Sequence, residues 1–109
     1  MNYKVKTISV FEKQAKKLIK KYPSLKHELL ELVHELRRNP SQGIPLGKNC
    51  FKIRIAISSK GKGKSGGGRI ITNFVVTDNT VFLLTIYDKS QQENITEKEL
   101  EALLEFLPV

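Results

Sequence analysis

Asn49–Val76 reads N-C-F-K-I-R-I-A-I-S-S-K-G-K-G-K-S-G-G-G-R-I-I-T-N-F-V-V, and the rest of the chain is arranged around it. Phe51, Ile53, Ile55 and Ile57 alternate with Lys52, Arg54, Ala56 and Ser58, the period-two pattern of a half-buried strand. After a glycine-rich stretch, Arg69, Ile71 and Asn73 share one face of a second strand, and Ile70, Thr72 and Phe74 share the other. The two strands are expected to form a hairpin with one apolar side and one side carrying Lys52, Arg54 and Arg69. Three cations on a rigid sheet, beside a loop with Lys60, Lys62 and Lys64, suggest a device for gripping phosphate.

Upstream, Tyr3 to Ile8 alternates and reads as a short strand. Ser9-Val10-Phe11-Glu12 fits a capping box, with Ser9 as N-cap. Phe11, Ala15, Leu18, Ile19 and Tyr22 then follow at the spacing of one amphipathic helix, whose outer face carries Lys13, Lys16, Lys17, Lys20 and Lys21. That lysine row suits either nucleic acid or solvent. Tyr22-Pro23-Ser24 ends the helix and caps a second one, which bears Leu25, Leu29, Leu32, Val33 and Leu36 and stops before Asn39-Pro40. So short a link predicts a helical hairpin. Ser41–Asn49 reads as a loop punctuated by Gly and Pro, with Leu46 tucked under it.

Downstream of the hairpin, Asp78-Asn79 makes a tight turn. Val81–Asp88 is the next strand, with Phe82, Leu84 and Ile86 expected on the core side. Val81, Leu83, Thr85 and Tyr87 are expected on the other, which brings the Tyr87 phenol to the cation face. Thr96-Glu97-Lys98-Glu99 is a second capping box, opening a last helix with Leu100, Leu103, Leu104 and Leu107 as its apolar stripe.

A chain of 109 residues is expected to be a single domain, residues 1–109. It contains one cysteine, Cys50, so no intrachain disulfide forms and a reducing cytoplasm is the expected setting. Neither a signal peptide nor a bilayer-spanning stretch is visible. The formal net charge is +8. It is unevenly spread: +12 up to Gln92 and −4 from Glu93 onward. A basic body with a short acidic end points to a polyanionic partner, against the plainer reading of a solvated surface.

Several chemistries are excluded by context. Gly61-Lys62-Gly63-Lys64-Ser65-Gly66 has dinucleotide-binding spacing in letters, but a strand follows it where that motif needs a helix. Gly63-Lys64-Ser65 lacks the earlier glycine of a P-loop, because Ser58 stands there. The loop reads better as flexible and cationic, free to settle on a ribose-phosphate backbone. His27, Glu31 and His34 lie on one helix face without zinc-protease spacing, and no metal or other cofactor is expected. The carboxylates form no acid–base pair. RNA cleavage by the neighbouring 2′-hydroxyl needs only alignment, a proton acceptor and charge neutralisation. Arginine suits the phosphate, and a lysine crowded by arginines has its charged form disfavoured, so Lys52 beside Arg54 and Arg69 is the candidate base.

In order and spacing, F-E-K-Q-A-K-K-L from Phe11, N-P-S-Q-G-I-P-L-G from Asn39, F-K-I-R from Phe51, S-G-G-G-R-I-I-T from Ser65 and L-L-T-I-Y-D-K from Leu83 resemble the RelE/ParE toxin superfamily, in its RelE- and HigB-like branch. The resemblance implies an α+β fold: a strand, a helical hairpin, then an antiparallel β meander with helices packed on one face, and a short C-terminal helix. The first strand sits at the edge beside the last. It implies a ribosome-dependent mRNA endonuclease, held inactive by a cognate antitoxin and touching operator DNA only through it. Carried over by position, Lys52, Arg54 and Arg69 are the basic catalytic residues, and Lys89 lies near a further one. The tyrosine that some members carry near the C-terminus has no counterpart; Thr96 is close to its place and Tyr87 substitutes by location. Lys60, Lys62, Lys64 and Asn73 are the expected RNA contacts.

Two other readings stand beside this one: a ParE-like toxin that poisons gyrase, and a non-catalytic RNA- or ribosome-binding module. The acidic last helix would repel RNA, so it either packs away from the substrate or covers the basic face until displaced.

Overall fold

The computed structural model describes residues 2–61 and 63–108. Five strands form one sheet: β1 (Lys4–Thr7), β2 (Ile44–Gly47), β3 (Cys50–Ile55), β4 (Gly68–Val75) and β5 (Thr80–Asp88), in the spatial order β1-β5-β4-β3-β2. β1 runs parallel to β5 at the edge, and every other pairing is antiparallel. A helical hairpin, α1 (Ser9–Lys21) and α2 (Leu25–Leu36), follows β1, and α3 (Glu97–Leu104) follows β5. The fold is mixed α+β, as the resemblance implied.

Residues 41–49 hold more structure than a loop. β2 pairs with β3 through Ile44, Pro45 and Gly47. Lys48 and Asn49, both with positive φ, make the turn between them. Gly43, Pro45 and Gly47 punctuate the stretch, which is why the strand did not stand out. Asn73 braces this turn, its Nδ2 donating to the Lys48 carbonyl at 3.0 Å.

One irregularity reorders a face. β4 and β5 stay in register from Gly68–Asp88 to Ile71–Thr85, then resume at Thr72–Leu83, so Leu84 is an extra residue, a bulge. Tyr87 and Thr85 share the face of Arg69 and Ile71, as expected. Beyond the bulge the alternation slips by one. Phe82, opposite Asn73, joins the cation-bearing face, while Val81 and Leu83 turn to the face of Phe74 and Thr72. The sequence-based placement of Phe82 in the core opposite Val81 and Leu83 is therefore reversed.

The caps also differ. α1 is capped by Ile8, without a side-chain bond, and Glu12 instead accepts from the Thr7 hydroxyl at 2.6 Å. Ser24 makes no capping bond for α2; its hydroxyl faces Glu28 and Ser59. Thr96 forms the expected capping box with Glu99.

The core is the apolar layer between the sheet and the helical hairpin. Phe11 and Ala15 of α1, and Leu25, Leu32 and Leu36 of α2, are buried with Ile53, Ile55, Ile70 and Ile86 of the sheet. α1 also closes the edge of β5 past the end of β1. There the Gln14 Oε1 accepts from the Ile86 amide at 3.1 Å and the Thr85 hydroxyl at 2.6 Å.

Candidate functional site

Strand register assembles the cation-bearing face. Arg54 is directly opposite Arg69, and Arg69 is directly opposite Tyr87, so these three side chains form one row across β3, β4 and β5. Lys52, Ile71 and Thr85 form the next row, and Cys50, Asn73 and Phe82 the third. The Lys89 amide donates to the Gly67 carbonyl at 3.1 Å, one step past the strand ends. Lys89 itself lies in the turn that follows β5.

Two arginines directly opposite on adjacent strands repel, which destabilises a sheet. Arg54 is exposed and keeps water around its charge. Arg69 is only 6% exposed, and carbonyl dipoles take the place of water around its charge. Its Nη1 donates to the carbonyls of Lys64 at 2.8 Å and Gly68 at 2.9 Å, and its Nη2 to that of Ser65 at 3.2 Å. A guanidinium has five N–H donors. With three engaged among the described residues, the Nε–H and one Nη2–H remain. Two donors left on one guanidinium are what a bidentate contact with two oxygens of one phosphate needs.

Tyr87 is 7% exposed, and its hydroxyl is buried without a hydrogen-bond partner among the described residues. Burial pushes the phenol above its ordinary pKa; Arg69 pulls it down and Glu99 pushes it further up. The group stays protonated at neutral pH and so can give a proton rather than take one. Lys52 is half-buried, and its Nζ donates to Asn94 Oδ1 at 3.2 Å.

α3 lies over this face. Its residues Glu99, Leu103 and neighbouring Phe106 line a slot of about 240 Å³ together with Thr85 and Gln14. Lys48 pairs with Glu101 at 2.6 Å. Of the two positions expected for the acidic helix, it takes the covering one.

The loop between β3 and β4 departs furthest from expectation. It is not a free tether. Ser58–Lys60 is a turn of 3-10 helix, docked on α2 by the Glu28 carboxylate, which accepts from the Ser58 amide at 2.9 Å and hydroxyl at 3.0 Å. Lys60, expected among the RNA contacts, is turned inward onto Asp88 and donates to the Gly66 carbonyl at 2.9 Å. Asn73, also expected to touch RNA, is buried and donates to Lys48, Asn49 and Cys50. Burying an amide requires such partners, and they commit its Nδ2 to the β2–β3 turn. Lys64 is exposed, and Lys62 lies outside the described residues. His27 and His34 are exposed, His27 beside Glu31 at 3.0 Å, and no cluster able to hold a metal occurs among the described residues.

Asp88 is the residue sequence reasoning missed. A signal was present: alternation puts it on the side opposite Tyr87, and a carboxylate on an apolar face demands a cation.

The fold has solved counterparts. A mutant of the E. coli toxin RelE in the free state superposes with a TM-score of 0.64 at 19% identity, over 85% of this chain and 90% of that one. The isolated E. coli RelE toxin matches with a TM-score of 0.51 at 20% identity, over 96% and 99%. No helix among the described residues is long and apolar enough to cross a membrane. The family model described as the RelE toxin of the RelE/RelB toxin–antitoxin system matches residues 3–107, and the chain belongs to that family.

Proposed function

We propose that this toxin cleaves mRNA on the ribosome by attack of the 2′-hydroxyl on the adjacent phosphate, acts in the cytoplasm, and is held silent by a cognate antitoxin. RelE-family toxins are endoribonucleases that pair with a RelB-type antitoxin, which supports the general class. The observation that carries the reading for this chain is the row Arg54–Arg69–Tyr87. Two opposed cations invite an anion between them, and a phenol without a hydrogen-bond partner among the described residues stands at the end of the row.

The roles follow from the chemistry. The free fork of Arg69 takes two phosphate oxygens, and Arg54 neutralises the charge that grows on the phosphorane. Lys52 is placed one row away to accept the proton of the attacking hydroxyl. Tyr87 donates to the leaving oxygen, and Lys89 and Lys64 hold the flanking backbone. RNA reaching Tyr87 displaces α3, whose acidic residues oppose it.

The test is cleavage of ribosome-bound mRNA beside a gyrase supercoiling assay. Arg69→Lys keeps the charge but loses the fork, and Arg54→Ala removes the opposing cation. Each is expected to lower the cleavage rate about 100-fold while the fold persists, the scale of losing one transition-state donor. Lys52→Ala cleaving at the wild-type rate removes Lys52 as the base. Inhibited supercoiling with intact mRNA overturns the whole reading.

A further inference from the structure

On the face of the sheet away from the cations lies a buried polar knot that the proposed chemistry does not use. Asp88, 1% exposed, receives the ammonium of Lys60, the phenol of Tyr22 at 3.0 Å, and the amide and hydroxyl of Ser90 at 2.9 and 2.8 Å. Lys60 is itself 12% exposed and stands 6.0 Å from the centre of the Tyr22 ring. The knot therefore ties together the end of α1, the end of β5 and the start of the loop.

What the loop does next matters. Four residues past Lys60, the Lys64 and Ser65 carbonyls turn to the guanidinium of Arg69. The Lys60 ammonium also holds the Gly66 carbonyl, just past these two acceptors. Two of the three carbonyls that hold Arg69, those of Lys64 and Ser65, thus directly precede a carbonyl held by the Lys60 ammonium, and Asp88 fixes that ammonium. An arginine side chain has many rotamers. It presents a defined fork only while its other donors are engaged.

We propose that Lys60 and Asp88 are positioning residues for Arg69: they hold the Gly66 carbonyl so that the neighbouring Lys64 and Ser65 carbonyls take two of the Arg69 N–H groups, which, with a third on the Gly68 carbonyl, aims the remaining donors at the cation-bearing face. The pair touches no substrate. It acts through the loop, across the thickness of the sheet. The claim rests on the proposed role of Arg69 for its link to catalysis, but not for its structural part.

The experiment has two arms on the full chain. In the first, the side-chain N–H resonances of Arg69 are followed by NMR in the wild type, Lys60→Met and Lys60→Arg. In the wild type the Nη signals are expected to be resolved and slow to exchange. They collapse to an averaged line in Lys60→Met and return in Lys60→Arg, which restores a cation for Asp88. Where Lys60→Met does not fold, Asp88→Asn serves, since it is isosteric and keeps an acceptor for Ser90.

In the second arm, cleavage kinetics are measured per folded molecule. Loosening a transition-state donor lowers kcat about 10-fold or more and leaves KM within about 2-fold, with recovery in Lys60→Arg. A merely structural pair changes the folded fraction and leaves the Arg69 signals and kcat of the folded molecules alone; that result overturns the proposal. Unchanged kcat with collapsed Arg69 signals overturns the catalytic link. A wild-type protein that cleaves no RNA removes the proposed reaction, and the resonances still decide whether Lys60 and Asp88 hold Arg69.

Discussion

The Ser58–Gly67 loop and helix α3 border the same cation-bearing face and are fastened to the body in opposite ways. The loop's fastenings are polar and largely drawn inward: Lys60 on Asp88, Arg69 on the Lys64 and Ser65 carbonyls, Glu28 on Ser58. Those of α3 are apolar and exposed-ionic: Leu100 is its one buried residue, Leu103 and Leu104 are partly covered, and Lys48–Glu101 lies in solvent. Buried charges cannot be separated without stranding one of them, whereas a single leucine contributes about 2 kcal/mol when covered. One border of the face is thus a wall pinned by buried charge and the other a cover seated on a few apolar contacts. A regular helix with a good cap is not on that account well attached, because capping bonds join the helix to itself.

The largest effect should come from breaking the wall. Asp88→Leu leaves the Lys60 ammonium buried without its counter-charge and strips Tyr22 and Ser90 of their acceptor. A loss of about 3–5 kcal/mol in urea unfolding is expected, the usual scale for a severed buried pair. The same group is expected to shape the acid limb of the stability curve. Burial alone would raise the Asp88 carboxyl, but the bonds from Lys60, Ser90 and Tyr22 hold it well below the ordinary carboxylate range. A depressed folded-state value contributes stability above the unfolded value, near ~4, and that stability drains as pH falls from there. Asp88→Asn should flatten that part of the stability curve; an unchanged acid limb would show that other carboxylates govern it.

Next is the loop's far end. A Cβ on Gly67 would sit 2.2 Å from the Ile55 carbonyl oxygen, a backbone atom that cannot step aside. Gly67→Ala should cost about 1–3 kcal/mol by overpacking and should shift the Lys89 amide, which binds the Gly67 carbonyl. A glycine kept for mobility would instead tolerate alanine with no loss.

These two sites also show what was legible in the sequence. Periodicity carried the strand and helix types, the shared face of Lys52, Arg54 and Arg69, and the place of Tyr87, because each depends on residues two or four apart. The capping box at Thr96 was equally local. Lys60 and Asn73 read as surface groups because their type favours water; only contacts with Asp88 and with the β2–β3 turn, far along the chain, draw them in. The Leu84 bulge left no mark in composition, and it moved Phe82 to the other face. Ser58, Lys60, Lys64 and Ser65 looked loose for the same reason: the groups that hold them, Glu28, Asp88 and Arg69, all lie outside the run.

On the cover, the effects should be smaller and of opposite functional sign. Thr96 accepts from the Glu99 amide at 3.1 Å. Thr96→Ala should lower stability by about 1 kcal/mol, as lost N-caps do. If α3 must lift for RNA to enter, cleavage should rise or hold steady in this variant rather than fall. A fall in step with the lost stability would make α3 part of the working site.

The smallest effect belongs to Lys48 and Glu101, although their contact is among the shortest in the molecule at 2.6 Å. Both side chains stand about half in water, 48% and 55% exposed, so solvent and salt screen the attraction. The Glu101 hydrogen bond raises the Lys48 pKa, which leaves the ammonium charged at neutral pH as it would be without the contact. Glu101→Gln should therefore leave the melting temperature within measurement error at physiological salt. Its consequence should appear in binding instead, since it removes one negative charge from a helix lying over cations. RNA affinity is expected to rise modestly, with the gain shrinking as salt is added. A clear drop in melting temperature would mean that α3 is held by charge rather than by Leu100, and the contrast between wall and cover would fail.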